Sequence, residues 1–139
     1  MKNKMRILSA LLMLVMIFVT VGCATEAKGV WADATYTADT TLGTGEKCIT
    51  VVVGAEDKNV TFTINTNCDT LGAALLEVGL AEGEQSQYGL YIKKVNGILA
   101  DCDVDMYYWS ISKSGVTLMT GADGESIVGG ESYELVRAK

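Results

Sequence analysis

The chain has 139 residues, with 11 Lys+Arg against 17 Asp+Glu, and it contains neither histidine nor proline. This length supplies one modest domain. The acidic balance argues against a nucleic-acid binder, which needs a basic surface, and the missing histidine removes the usual general base and the commonest metal ligand.

Met1 to Arg6 is basic through Lys2, Lys4 and Arg6, Ile7 to Val21 is almost wholly apolar, and Gly22-Cys23 follows. A basic start, an apolar stretch too short to span a bilayer and a small-residue end read as a secretory signal over residues 1–22. The run Thr20-Val21-Gly22-Cys23 resembles the lipobox of bacterial lipoproteins, apart from Thr20 in place of the usual Leu. Cys23 is therefore the expected lipidation site, and the expected location is the outer face of a bacterial cell membrane, with plain secretion as the alternative. Without the signal, 8 cations face 17 acids, a net charge of −9. Residues 23–45 are rich in Ala, Thr, Gly and Asp without apolar periodicity and read as a flexible tether reaching roughly 25 Å. Trp31 within it is either an incidental exposed ring or a dock onto the domain.

The folded domain is expected over 46–139. Ile49 to Val53 is a β-branched strand, and Val60, Phe62 and Ile64 alternate with polar residues in a second, the two forming a hairpin. Asp69 or Thr70 can cap one helix. Leu71, Leu75 and either Leu76 or Val78 make its apolar face, and Gly79 its exit. Ala81 to Gln87 reads as a polar loop. Tyr91–Val95 and Ile98–Ala100 are strands joined by Asn96-Gly97, a dipeptide suited to a two-residue hairpin turn. Met106–Ser112 and Val116–Thr120 form another hairpin, Gly121–Gly130 a loop, and Ser132–Arg137 a last strand. About seven strands and one helix predict a small α+β domain, β-grasp-like, with the helix packed on a sheet face.

Several constellations carry little chemistry. Asp101, Asp103 and Asp105 open like a calcium loop, but Met106 and Ser112 stand where Gly and Glu are needed, so solvated loop acids explain the triplet better. Ser110, Ser112 and Ser114 lie near Lys113, but neighbours along a strand face opposite sides, and no G-x-S-x-G elbow exists, so no enzyme and no metal site is expected. Of Cys48, Cys68 and Cys102, an odd set, at most one pair can close. Cys68–Cys102 is the favoured disulfide, and three small buried thiols are the equal alternative. Tyr88, Tyr91, Tyr107, Tyr108 and Trp109 cluster within one stretch. Tyr107 and Trp109 share one face of a strand and Tyr108 takes the other. One set belongs in the core, and the other can offer aromatic area to a flat ligand.

The ordered motifs TLGAALLEVGL, YGLYIKKVNGI, YYW, a Gly-Ala-Asp loop and GGESYEL, spanning Lys47 to Arg137, resemble the bacterial DUF4430 domain, a module similar to the carboxy-terminal domain of transcobalamin and intrinsic factor. In the animal proteins a large helical domain and this small β-rich one enclose cobalamin. The resemblance implies ligand-binding positions at Tyr88, Gly89, Tyr91, Tyr108, Trp109 and Gly121. The helical partner domain is missing here, and Ser114-Gly115 stands where the family often has Asn-Gly. With the lipobox-like end of the signal, the expectation is a membrane-anchored extracellular binding lipoprotein, and the resemblance implies that it captures cobalamin-like corrinoids, with an uptake transporter as partner. The alternative is a cell-surface adhesion module that binds a protein or glycan.

Overall fold

The computed structural model describes residues 29–139. The expected signal peptide and the expected lipidation site, Cys23, lie outside the described residues. The strands are β1 (Thr40–Leu42), β2 (Lys47–Ala55), β3 (Lys58–Thr66), β4 (Ala81–Ser86), β5 (Gly89–Val95), β6 (Ile98–Leu99), β7 (Tyr108–Lys113), β8 (Val116–Thr117) and β9 (Ser132–Ala138), and the helix α1 covers Leu71–Glu77. They form a six-stranded sheet in the order β1-β3-β2-β9-β7-β8 and a three-stranded sheet in the order β4-β5-β6. The α+β expectation stands, with nine strands among the described residues.

The sheet centre follows from period-two patterning. In the β2–β3 hairpin, Ile49, Val51 and Val53 sit opposite Ile64, Phe62 and Val60, and all six are buried. One face of each strand is thus apolar, which fixes the register, because a one-residue slip would turn all of them to solvent. The last strand, β9, returns parallel to β2 and adds Tyr133 and Leu135 to the same core. This parallel return beside the first hairpin is the grasp-like feature of the architecture. Thr70 caps α1 by accepting the Ala73 N–H at 3.3 Å. Leu71, Ala74 and Leu75 are buried, whereas Leu76 is exposed, so Val78 completes the apolar face. Leu80 closes the helix by donating its N–H to the Leu75 carbonyl, the bond pattern of a Schellman end. Among the described residues no helix is long and apolar enough to cross a membrane.

Three expectations are corrected. First, the stretch read as a tether is folded from Gly29 onward. Trp31 is 3% exposed, its Nε1–H donates to the Ala55 carbonyl at 2.8 Å, and β1 adds to the sheet edge parallel to β3. The segment then crosses the Asn96-Gly97 turn. The Asn96 amide bonds both the N–H and the carbonyl of Tyr36 at 2.8 Å, and a Cβ at Gly97 would collide with the Asp33 carbonyl. Second, residues 81–86 form strand β4, an exposed edge paired with β5. Third, Met106 takes a φ of 64°, outside strand geometry, so β7 begins at Tyr108.

A polar knot ties the loop before β9 to the sheet. Lys113 Nζ lies 2.7 Å from Glu131 and 2.9 Å from Glu125, and the Tyr133 hydroxyl donates to Glu131 at 2.6 Å. The ammonium of Lys113, then the Tyr133 hydroxyl and the Val128 N–H, pull the Glu131 carboxyl from 4.5 down to about 2. A depressed folded-state pKa gives stability that is complete above the unfolded value and fades as pH falls toward the folded one. Thermal melts of the wild type and Glu131→Gln should therefore differ most at neutral pH and converge between about pH 4.5 and pH 2. A gap that stays constant through that window would contradict the assignment.

Candidate functional site

The site forms where the two sheets meet, between β5 and β7. The β4–β5 hairpin supplies its first part. Gln87 and Tyr88 make the turn between the paired residues Ser86 and Gly89. The Ser86 hydroxyl accepts the Tyr88 N–H at 3.1 Å and donates to the Gly89 carbonyl at 2.8 Å. Gly89 has a φ of 105°, in the region that side chains avoid, and a Cβ there would lie 2.6 Å from Asp123 Oδ1. The turn so held presents Tyr88, 87% exposed, to solvent.

Strand β7 supplies the second part by alternation. Trp109 points inward and is 7% exposed, whereas Tyr108 is 42% exposed. Tyr107 turns back against Arg137, whose guanidinium lies 3.6 Å from the ring centroid. Tyr91, Tyr108, Trp109 and Gly121 line one groove of about 280 Å³ whose apolar walls include Leu90 and Leu118. Tyr88, Gly89 and Gly121 line a shallower hollow of about 540 Å³ together with Met119 and Asp123. Gly121 belongs to both. All six residues expected at the ligand site thus border two adjoining depressions, although Trp109 contributes mainly a buried wall.

The electrostatics of this face are muted. Tyr91 accepts the Cys102 N–H at 3.4 Å. That bond favours the phenolate, but burial, the Cys102 thiol and the Asp101 charge outweigh it, and the Tyr91 pKa is raised. Tyr91 therefore stays a neutral hydroxyl at physiological pH. Lys93 is bound by Glu84 at 3.1 Å and Asp101 at 3.4 Å. One polar atom is left over: Trp109 Nε1 is buried without a hydrogen-bond partner among the described residues. Such a donor costs free energy until an acceptor reaches it.

The Asp101, Asp103 and Asp105 loop is self-contained. Asp105 accepts the N–H groups of Asp101 at 3.1 Å and Tyr107 at 3.0 Å and pairs with Arg137 at 2.8 Å. Burial acts upward on the Asp105 carboxyl, but the Tyr107 N–H and Arg137 outweigh it and hold the pKa low. Among the described residues no group of three or more Cys, Asp or Glu is placed to hold a metal ion.

The expected Cys68–Cys102 disulfide is not formed, and Cys48, Cys68 and Cys102 are free. Cys68 precedes α1, where its thiol lies 3.3 Å from Glu77 Oε2, while Cys102 follows β6 beside Tyr91. The alternative of three buried thiols also fails, since Cys48 and Cys102 are exposed. The sequence reading missed the contribution of Leu118, Met119, Thr120 and Asp123. The one available signal was an acid two residues after a site glycine, within a stretch read as a plain loop.

No family model and no curated protein matches the chain. Among solved structures, haptocorrin in complex with Cbi is 20% identical with a TM-score of 0.54, covering 67% of this chain and 25% of that one. At that identity the likeness concerns the fold, and this chain spans about a quarter of haptocorrin. A putative metal binding protein from Ruminococcus gnavus is 35% identical with a TM-score of 0.63, covering 68% of this chain and 98% of that one. That identity, held over nearly the whole of the second protein, places this chain in the same family as the Ruminococcus gnavus protein.

Proposed function

We propose that this protein is a binding protein lipid-anchored through Cys23 to the extracellular face of the bacterial cell membrane, whose β5–β7 face captures cobalamin-like corrinoids and passes them to an uptake transporter. The observation that carries this reading is the convergence of Tyr88, Gly89, Tyr91, Tyr108, Trp109 and Gly121 on two depressions joined at Gly121. Exposed aromatic rings flanking open backbone suit a flat, partly apolar macrocycle. The fold shared with haptocorrin, itself described in complex with Cbi, supports the same ligand class. No catalytic step is assigned to the site. The metal-binding description of the Ruminococcus gnavus relative finds less support here, because Lys93 and Arg137 already engage Asp101 and Asp105.

An open face covers one side of a macrocycle, so affinity should be modest. Calorimetric titration of the full chain with dicyanocobinamide should give a Kd in the micromolar range. Tyr88→Ala and Tyr108→Ala should each weaken binding by about tenfold, the scale of one lost aromatic contact. Both rings are exposed, so the variants keep the fold. Absence of heat at millimolar ligand would sink the reading.

A second reading, an adhesion module for a protein or glycan, is favoured by one observation. Val116 in β8 and Met119 in the loop after it are 70% and 97% exposed. Under that reading corrinoids do not bind, and Met119→Asp abolishes attachment to whole cells.

A further inference from the structure

We propose that Asp123 sets the specificity of the site, selecting ligand edges that carry neutral amide N–H groups and rejecting carboxylates. This rests on the small-molecule reading above and names the chemistry that the ligand must present.

Asp123 belongs to the short 3-10 turn Ala122–Gly124. The turn is seated on the helix, because Gly72 of α1 leaves only enough room for the Asp123 backbone: a Cβ there would lie 2.9 Å from the Asp123 nitrogen. Ala122, buried to 1% exposure, pins the turn from below. The carboxylate is thereby directed between the two site glycines, with Oδ1 2.6 Å from an ideal Cβ at Gly89 and 3.2 Å from one at Gly121. It borders the hollow that those glycines share with Tyr88.

The cations of β5 and β7 pair with other acids: Lys93 with Glu84 and Asp101, Lys94 with Glu82, and Lys113 with Glu125 and Glu131. No lysine or arginine pairs with Asp123 among the described residues. A carboxylate with no counter-ion accepts hydrogen bonds from N–H donors, and it raises the free energy of an anion placed beside it. The carboxylate is thus an acceptor at the edge of the hollow, the complement of the N–H groups that primary amides carry along a ligand rim.

The test compares dicyanocobinamide with its separated monocarboxylate isomers, each carrying one peripheral amide hydrolysed to the acid. Wild-type full chain should bind at least one isomer about tenfold more weakly than the parent, a difference on the scale of one close like-charge contact at an exposed site. Asp123→Asn should reduce that ratio to about threefold or less while leaving the melting temperature unchanged. Asp57→Asn, an equal change of net charge in the exposed β2–β3 turn, should leave the ratio at the wild-type value. If every isomer binds the wild type as the parent does, or if Asp123→Asn behaves as Asp57→Asn, this assignment is overturned while corrinoid capture stands. If the wild type binds no corrinoid at all, both fall together.

Discussion

Trp31→Ala should lower the unfolding free energy by about 3–5 kcal/mol, the usual cost of emptying a buried large aromatic site. The ring is 3% exposed, its Nε1–H satisfies the Ala55 carbonyl at 2.8 Å, and Lys58 stands 4.8 Å above its face. Alanine would leave a cavity and remove the indole's hydrogen bond to the Ala55 carbonyl at the end of β2 together, so the two losses add in the same direction. Urea unfolding followed by circular dichroism measures the difference directly. If residues 29–45 were only a tether, the same substitution would change stability by less than about 0.5 kcal/mol. The outcome therefore decides where the folded body begins.

Arg137→Ala should cost about 3 kcal/mol, as expected when one partner of a largely buried ion pair is removed. Arg137 sits on β9 of the larger sheet and reaches the smaller one. Its Nε donates to the Leu99 carbonyl at 2.8 Å and its Nη2 to Asp105 at 2.8 Å, while the guanidinium plane lies against Tyr107. The arginine side chain is only 10% exposed. Truncation leaves Asp105 uncompensated and frees the Asp101–Asp105 loop from the sheet. Lysine keeps the charge, but it cannot serve Leu99 and Asp105 through one planar fork while stacking on Tyr107. Arg137→Lys should therefore recover only part of the loss in the same urea experiment. Full recovery would mean that net charge, not the fork, holds the two sheets together. Because Tyr107 precedes Tyr108, loss of this clamp should also weaken corrinoid binding.

What the chain declares in advance, and what it hides, follows from which residues make each element. Strands β2 and β3 were legible because Ile49, Val51, Val53, Val60, Phe62 and Ile64 keep a strict period of two. The helix was legible through Thr70, Leu71, Leu75 and Gly79. Strand β4 was not, because AEGEQS holds no β-branched or aromatic residue. Its extended shape comes from pairing with β5, a tertiary effect that overrides weak local preference. Strand β1 is three residues long and borrows its conformation from β3 in the same way. Trp31 carried no periodic signal, since a single anchoring ring needs none.

The candidate site divides along the same line. The aromatic cluster and the alternation of Tyr108 and Trp109 were visible in sequence. That Trp109 is wall more than surface depended on Leu90, Ile92 and Leu118 closing around it, which no local pattern specifies. Asp123 was hidden for a related reason. Its direction is set by Gly72 and Gly89, residues distant in sequence that matter only through the volume they leave free.

The most direct measurement is a corrinoid titration of ¹⁵N-labelled full chain followed by nuclear magnetic resonance. Ligand on the β5–β7 face should shift the Trp109 indole N–H and the Gly89 and Gly121 amides, while Lys58 and Thr61 at the far end of the larger sheet stay in place. Unmoved Trp109, Gly89 and Gly121 signals at saturating corrinoid, or shifts confined to the β2–β3 hairpin, would contradict it.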